Sequence, residues 1–344
     1  MSVLRHPECE KFFHDGESHK HLMQHSSIVA NLDQASLLDP SRVYVEFGAG
    51  KGGLSHFVRQ AYGGSTLGRH ILVDRGSFRF KADRHNRDAA LWLRLTTDIR
   101  DLDLSEVPNL KEDGTQLVSV SKHLCGCASD YAIRCIRRFA ELRNSDSAVV
   151  IATCCHHICD WTSYTNRDFF VQLGFSKREF DLLCAMTSWA VCGTRANKNK
   201  GQMTGHGMGH GSKGETCEEK AKNSHQWEDG KPDKMSSSSR SGCSDAKGGV
   251  QRDLNGPIKS GASGERTNGV EGQRVPVPDK GELSHLKKLS HDEREAIGFQ
   301  CKRLIDYGRL KGLESRGWDA RLVTYVEREI SPENVLLIAK FRTK

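Results

Sequence analysis

Three short strings hold most of the chemistry available to this chain of 344 residues. Lys122-His123-Leu124-Cys125-Gly126 sets an ammonium beside an imidazole. An imidazole accepts a proton near neutral pH, and an ammonium fixes an anion or lowers the pKa of a nearby hydroxyl. Lys122 and His123 are therefore the candidate catalytic pair. Thr153-Cys154-Cys155-His156-His157, followed by Cys159-Asp160-Trp161, concentrates soft ligands. Adjacent strand residues point to opposite faces and no second C-x-x-C lies nearby, so no metal is expected there. A thiolate nucleophile needs a base and an orienting group, which one sequence does not identify. Cys155, His156 and His157 stand in reserve for proton transfer. Gly48, Gly50 and Gly52 form G-x-G-x-G, which lets the backbone turn tightly and approach a nucleoside. Glu46 precedes this turn, and a carboxylate there repels a pyrophosphate but tolerates a cationic ligand. Asp74, 22 residues after Gly52, stands where an acid accepts ribose hydroxyls. Asp98, in the region of a third strand, is placed to accept from an adenine amino group.

The elements that position these residues follow a βα rhythm. Residues 42–47 read as a buried strand running into the glycine turn. A helix follows in which Leu54, Phe57, Val58 and Ala61 share a face, stopped by Gly63 and Gly64. Further strands are expected at 70–75, within 95–102, at 116–124 and at 147–157. Between the last two lies a helix with Ser129 as its cap and Ile133, Ile136, Phe139 and Ala140 toward the sheet. Ser290 and Glu293 form a capping-box pattern ahead of Ile297, Cys301, Leu304, Ile305 and Gly308 at helical spacing. Strands at 320–327 and 334–341 are too close in sequence for a parallel crossover and must pair antiparallel. Five parallel strands, a further helix and a terminal antiparallel hairpin are the arrangement of class I S-adenosylmethionine-dependent methyltransferases, an α/β, Rossmann-like fold. That tail, with Glu46, favours S-adenosyl-L-methionine over a dinucleotide as the cofactor.

Four segments result: an N-terminal helical segment (1–40), the first part of the catalytic domain (41–194), an insertion (195–281) and a C-terminal helix with its hairpin (282–344). Residues 201–280 contain 15 of the 33 glycines, 4 of the 8 prolines and Trp227 as their one aromatic residue. They offer too little apolar surface to offset ordering entropy, so the insertion is expected to be disordered. His206, His210 and Cys217 lie in that glycine-rich coil without a framework for a metal. In the N-terminal segment, His6, Cys9, His14, His19, His21 and His25 are irregularly spaced. They read as a polar helix beside the sheet with Ile28, Val29 and Leu32 at its apolar end.

No run of about 18 apolar residues is present, which excludes a helical membrane span. The first 20 residues show no signal-peptide pattern, so an intracellular location, nuclear or cytoplasmic, is expected, with the twelve cysteines as thiols or ligands rather than disulfides. Against 44 acidic residues, 51 basic ones leave a net charge of +7, which suits an anionic partner without requiring one.

The strings KHLMQHSSIVAN (20–31), VEFGAGKGGLSHFV (45–58), SKHLCGCASDYAIRC (121–135), CCHHICDW (154–161), MTSWAVCGTR (186–195) and IDYGRLKGLESRGW, with ENVLLIAK near the end, resemble the tRNA:m(4)X modification enzyme family. The resemblance implies methyl transfer from S-adenosylmethionine to the ribose 2′-hydroxyl of nucleotide 4 in the tRNA acceptor stem, with no membrane and no obligate protein partner. It makes His123 the acceptor of the hydroxyl proton and Lys122 a cation that fixes a phosphate or lowers the hydroxyl pKa. Arg5, Lys11, Arg134, Arg137, Arg138, Arg195, Lys302, Arg303 and Arg309 are then candidates for a phosphate-tracking face. Typical members carry a Cys/His-rich pair of zinc-finger modules ahead of this region, which this sequence lacks. The alternative expectation is a weak or inert RNA-binding relative of the enzymes.

Overall fold

The computed structural model describes residues 19–63, 68–76, 91–112, 114–191 and 288–343. The expected disorder of the insertion, the residues His6, Cys9 and His14, and the basic residues Arg5, Lys11 and Arg195 lie outside them. Within the described residues the first helix, α1 (His19–Gln34), leads to β1 (Val43–Phe47), α2 (Gly53–Ala61), β2 (Arg69–Asp74) and β3 (Trp92–Thr96). Next come β4 (Leu117–Cys125), α3 (Cys127–Arg143), β5 (Ser147–Cys154), α4 (Arg167–Gln172) and α5 (Lys177–Met186). The long helix α6 (His291–Glu314) precedes β6 (Asp319–Thr324) and β7 (Val335–Phe341).

The seven strands form one sheet in the order β3-β2-β1-β4-β5-β7-β6. β1 to β5 pair in parallel, and β7 is antiparallel to both β5 and β6. This is the class I methyltransferase topology. The chain order reverses between β1 and β4, and in open α/β sheets that switch point, at the carboxyl ends of the strands, is where ligands bind.

β1 and β5 are buried along their whole length, as expected for strands covered on both faces. On one face Leu22, Ile28, Val29 and Leu32 of α1 and Leu54, Phe57 and Val58 of α2 pack on Tyr44, Val118, Val150 and Ile338. On the other, Ile133, Ile136 and Phe139 of α3 and Leu310 and Leu313 of α6 pack on Val45, Ile71, Val149 and Leu337. A third cluster, Tyr164, Phe170, Phe180, Leu183 and Ile305, seats α4 and α5 against α6.

Ser290 and Glu293 form the anticipated capping box, with each backbone N–H received by the other's side chain. Three local expectations are corrected. β3 ends at Thr96, so Asp98 lies past the strand rather than in it. β5 ends at Cys154, because Cys155 turns into the left-handed region (φ 49°, ψ 43°). Ser129 sits inside the first turn of α3 and donates to the Leu124 carbonyl at 2.8 Å, while Gly126 takes the cap position. α4 and α5 were not foreseen, because the notable cysteines and aromatics of 154–195 obscured their helical spacing.

Candidate active site

Gly48, Gly50 and Gly52 all adopt positive φ (64°, 49° and 78°), the region that a Cβ disfavours. A Cβ on Gly52 would stand 2.7 Å from Leu72, so that glycine serves helix–sheet packing. Nothing lies within 4 Å of a Cβ position on Gly50, which leaves open space above the turn. The turn is braced from two sides. Asp74, at the end of β2, accepts from the backbone N–H of Gly50 and of Gly76, each at 2.8 Å. Arg94 on β3 donates to the Gly50 carbonyl at 2.9 Å.

Glu46 is buried, and its carboxylate accepts from the Ser55 N–H at 2.9 Å in the first turn of α2. It braces the first turn of α2, just past the glycine turn, rather than standing open at the sheet edge as the sequence implied. Asp98 accepts from Arg100 N–H at 2.9 Å and pairs with its guanidinium at 3.2 Å. Its neighbour Thr97 donates its N–H to the Asp74 carbonyl at 3.1 Å.

Burial pushes the Glu46 carboxyl up to about 7, against the lowering effect of the Ser55 hydrogen bonds and of Arg94 and Lys122. The folded state thus holds this proton more tightly than the unfolded chain, whose carboxyl titrates near the ordinary 4.5. Stability is therefore expected to fall as pH rises from about 4.5 through 7, by about 2–3 kcal/mol from this group. Glu46→Gln, which still accepts from Ser55, should flatten that slope in urea unfolding at pH 5 and pH 7.5. An unchanged difference between the two pH values would refute the assignment.

Lys122 and His123 occupy a β-bulge. Ser121 pairs with Ile151 and Leu124 with Thr153, so two residues of β4 oppose one of β5. A bulge breaks the in–out alternation and re-aims side chains. Lys122 is buried and donates to His25 Nε2 at 3.0 Å, whereas His123 is exposed, its ring 6.1 Å from that of His21. Residual desolvation, then Lys122 and His21, hold His123 below the ordinary imidazole pKa. A neutral imidazole able to accept a proton is the result. His25, lowered further by burial and by Lys122, is likewise neutral. Since Lys122 only donates, the His25 proton belongs on Nδ1, which has no partner. Gly48 joins the two motifs: its Cβ position is 3.4 Å from Leu124 and 3.7 Å from the His123 carbonyl oxygen.

The turn after β5 is held by a buried ion network. Arg309 of α6, fully enclosed, bonds Asp130 at 2.7 Å, Asp306 at 3.1 Å, the Gly126 carbonyl at 3.1 Å and Cys159 Sγ at 3.2 Å. Asp306 also accepts from Thr153 and bonds His156 Nε2, both at 2.9 Å. Burial alone raises the Asp306 carboxyl, but His156 and Arg309 outweigh it and hold it low. His156 is therefore turned inward as part of the frame, while His157 stays exposed. At the turn's start the thiols of Cys125, Cys154 and Cys155 meet. Hydrogen bonds from the other two pull the Cys125 thiol down and push Cys154 up.

His25, Arg94, Asp130 and Asp306 were not foreseen as parts of the site. The spacing of His21 and His25 on one helix, and of Asp306 and Arg309, was their only signal. Arg309 and Lys302 leave the proposed phosphate face: both are buried, Lys302 against Glu333. Arg137 and Arg138 pair with Glu141 and Asp103. Arg134 instead lines a cavity of about 690 Å³ together with Arg167, Lys311, Arg316, Asp168 and Tyr164.

Comparison with known proteins adds an independent finding. The family described as Methyltransferase TRM13 matches residues 23–246 and 258–340. A Mus musculus protein, "tRNA:m(4)X modification enzyme TRM13 homolog", is 30% identical over 380 residues, covering 98% of this chain and 68% of that protein. The Homo sapiens homolog is 31% identical over 93% of this chain and 64% of its own length. A Dictyostelium discoideum homolog is 37% identical over 54% of this chain and 37% of its own. The chain thus spans about two thirds of the length of the two mammalian relatives.

Proposed function

This chain belongs to the Methyltransferase TRM13 family, and from that premise we propose that it moves a methyl group from S-adenosylmethionine to the ribose 2′-hydroxyl of nucleotide 4 in the tRNA acceptor stem. The supporting observation is the contact of Gly48 with the bulged Leu124–His123 segment, which sets the open glycine turn against a neutral, exposed imidazole.

The residues fit the donor. The open space over Gly50 leaves room for a nucleoside, Asp74 beside that turn is the acceptor assigned to its ribose hydroxyls, and Asp98 is the one assigned to its adenine amino group. Glu46, whose buried carboxyl ionises only near pH 7, becomes an anion that favours a cationic ligand as it loses its proton. Once bound, the donor supplies a methyl already activated by sulfonium. The chain's own task is therefore mostly alignment, with a smaller contribution from proton removal. His123 takes the hydroxyl proton. Lys122, held by His25, adds a positive charge close enough to influence that imidazole and favours an ionised hydroxyl or a neighbouring phosphate.

Incubation with tritiated S-adenosylmethionine and bulk tRNA, followed by mapping of ribose methylation, tests the reading. Label confined to nucleotide 4 is expected. Label elsewhere, or none while tRNA still binds, would overturn it.

Arg134, Arg167 and Arg316 around the basic cavity are placed to meet stem phosphates, in keeping with recognition of A-form RNA by backbone and 2′-hydroxyl contacts. Binding should weaken steeply with salt. Charge reversal at these three positions should lower the slope of log K against log salt by roughly one unit per lost phosphate contact. Fluorescence anisotropy with a labelled acceptor-stem duplex between 50 and 300 mM salt, on the order of the range over which such slopes are read, checks this. An unchanged slope would place the RNA elsewhere.

A further inference from the structure

The family reading does not use the thiols at the sheet edge. The Sγ atoms of Cys125, Cys154 and Cys155 all lie within 4.8 Å of one another, and those of Cys125 and Cys154 are 3.9 Å apart. Tetrahedral zinc with Zn–S bonds of about 2.3 Å sets its sulfurs about 3.8 Å apart. The convergence has a backbone cause. Cys125 and Cys154 are directly paired, as the final residues of β4 and β5, and the Gly126 N–H closes onto the Cys154 carbonyl at 3.1 Å. Cys155 would point away if the strand continued. Its left-handed conformation (φ 49°) breaks the alternation and brings its sulfur back to the other two. The alternation that would keep these sulfurs on opposite faces therefore does not hold at Cys155.

We propose that Cys125, Cys154 and Cys155 form a zinc site that clamps the end of β4 to the turn after β5. Soft thiolates select zinc over magnesium or calcium. Cys154 is buried, while Cys125 and Cys155 are half-buried, so three protein ligands leave the fourth position open toward the edge. Through Cys125 the clamp fixes the bulge carrying His123, two residues away, and through Cys155 the turn that His156 anchors. It is a positioning element, and it stands whether or not nucleotide 4 is the target.

The test uses the full, reduced chain with zinc or cobalt(II) as the probe. Protein produced in zinc-supplemented medium should hold one more zinc equivalent than a variant combining Cys125→Ser, Cys154→Ser and Cys155→Ser, by elemental analysis. Cobalt(II) should give a near-ultraviolet thiolate charge-transfer band in the wild type, losing about one third of its intensity with each single serine replacement. Replacing Cys9, Cys217 and Cys243 should leave this band in place, which keeps the test valid even when the triple variant fails to fold. Thermal unfolding should shift downward on chelation and recover with zinc. Equal zinc content in wild type and a folded triple variant would overturn the proposal. So would absence of the cobalt band from reduced wild type, or a mapped Cys125–Cys154 disulfide in metal-free protein.

Discussion

His123→Ala should slow methyl transfer to tRNA by about 10²–10⁴-fold, the usual contribution of a positioned acid–base group. Donor affinity, measured by calorimetry, should meanwhile stay within about twofold of wild type, since an exposed ring at the bulge gives the donor little binding energy. Lys122→Ala should be as damaging for a different reason. It removes the charge neighbouring the imidazole and leaves His25 Nε2 buried without its donor at 3.0 Å. The two defects are separable, because His25→Ala should reproduce much of the Lys122 loss and little of the His123 loss. Wild-type turnover in both the His123 and Lys122 variants would remove these residues from the chemistry and move attention to His157 and Cys155.

Arg309→Ala should destabilise the fold by about 3–5 kcal/mol, the cost of breaking a buried ion pair by deleting one partner. Its guanidinium faces two carboxylates, Asp130 and Asp306, each at most 1% exposed, so removal strands two negative charges where water does not reach. Guanidinium-chloride unfolding should show a lower midpoint with an unchanged slope. Arg309→Lys should recover only part of the loss, because one ammonium cannot reproduce donation from Nε, Nη1 and Nη2 to Asp130, Asp306, the Gly126 carbonyl and Cys159. A loss below about 1 kcal/mol would mean that the network is solvated and weak. In such variants activity should fall along with stability, since the network fixes His156 and the turn after β5.

The architecture was legible wherever local pattern and tertiary role agree. The run Ala148-Val149-Val150-Ile151-Ala152 in the strand expected at 147–157 is apolar because both faces of the sheet are covered. The Ser290–Glu293 box declared the start of α6, and the short link between the last strands forced their antiparallel pairing. Legibility failed where a residue acts across the fold. His25 lies 97 positions from Lys122, and Arg309 lies 179 from Asp130, and no periodicity connects them. Glu46 and Asp74 were located at the correct strand ends, yet the sequence did not reveal that Asp74 already holds the glycine turn and Glu46 the first turn of α2. The positions of Lys122 and His123 were visible, but not their division into one buried and one exposed side chain, which depends on pairing with β5. Cys155 was oriented by strand alternation, which its positive φ suspends.

The extra residue in β4 makes the reactive edge intolerant of a change in chain length. Deleting one position between Ser121 and Leu124 would restore an uninterrupted ladder with Ala152. The one residue left opposite Ala152 could not serve as both inward post and outward base, whereas Leu124 with Thr153 and Cys125 with Cys154 would keep their pairing. A frame-preserving deletion here thus disables proton transfer while sparing the thiol cluster, whereas the same deletion in a surface loop costs neither.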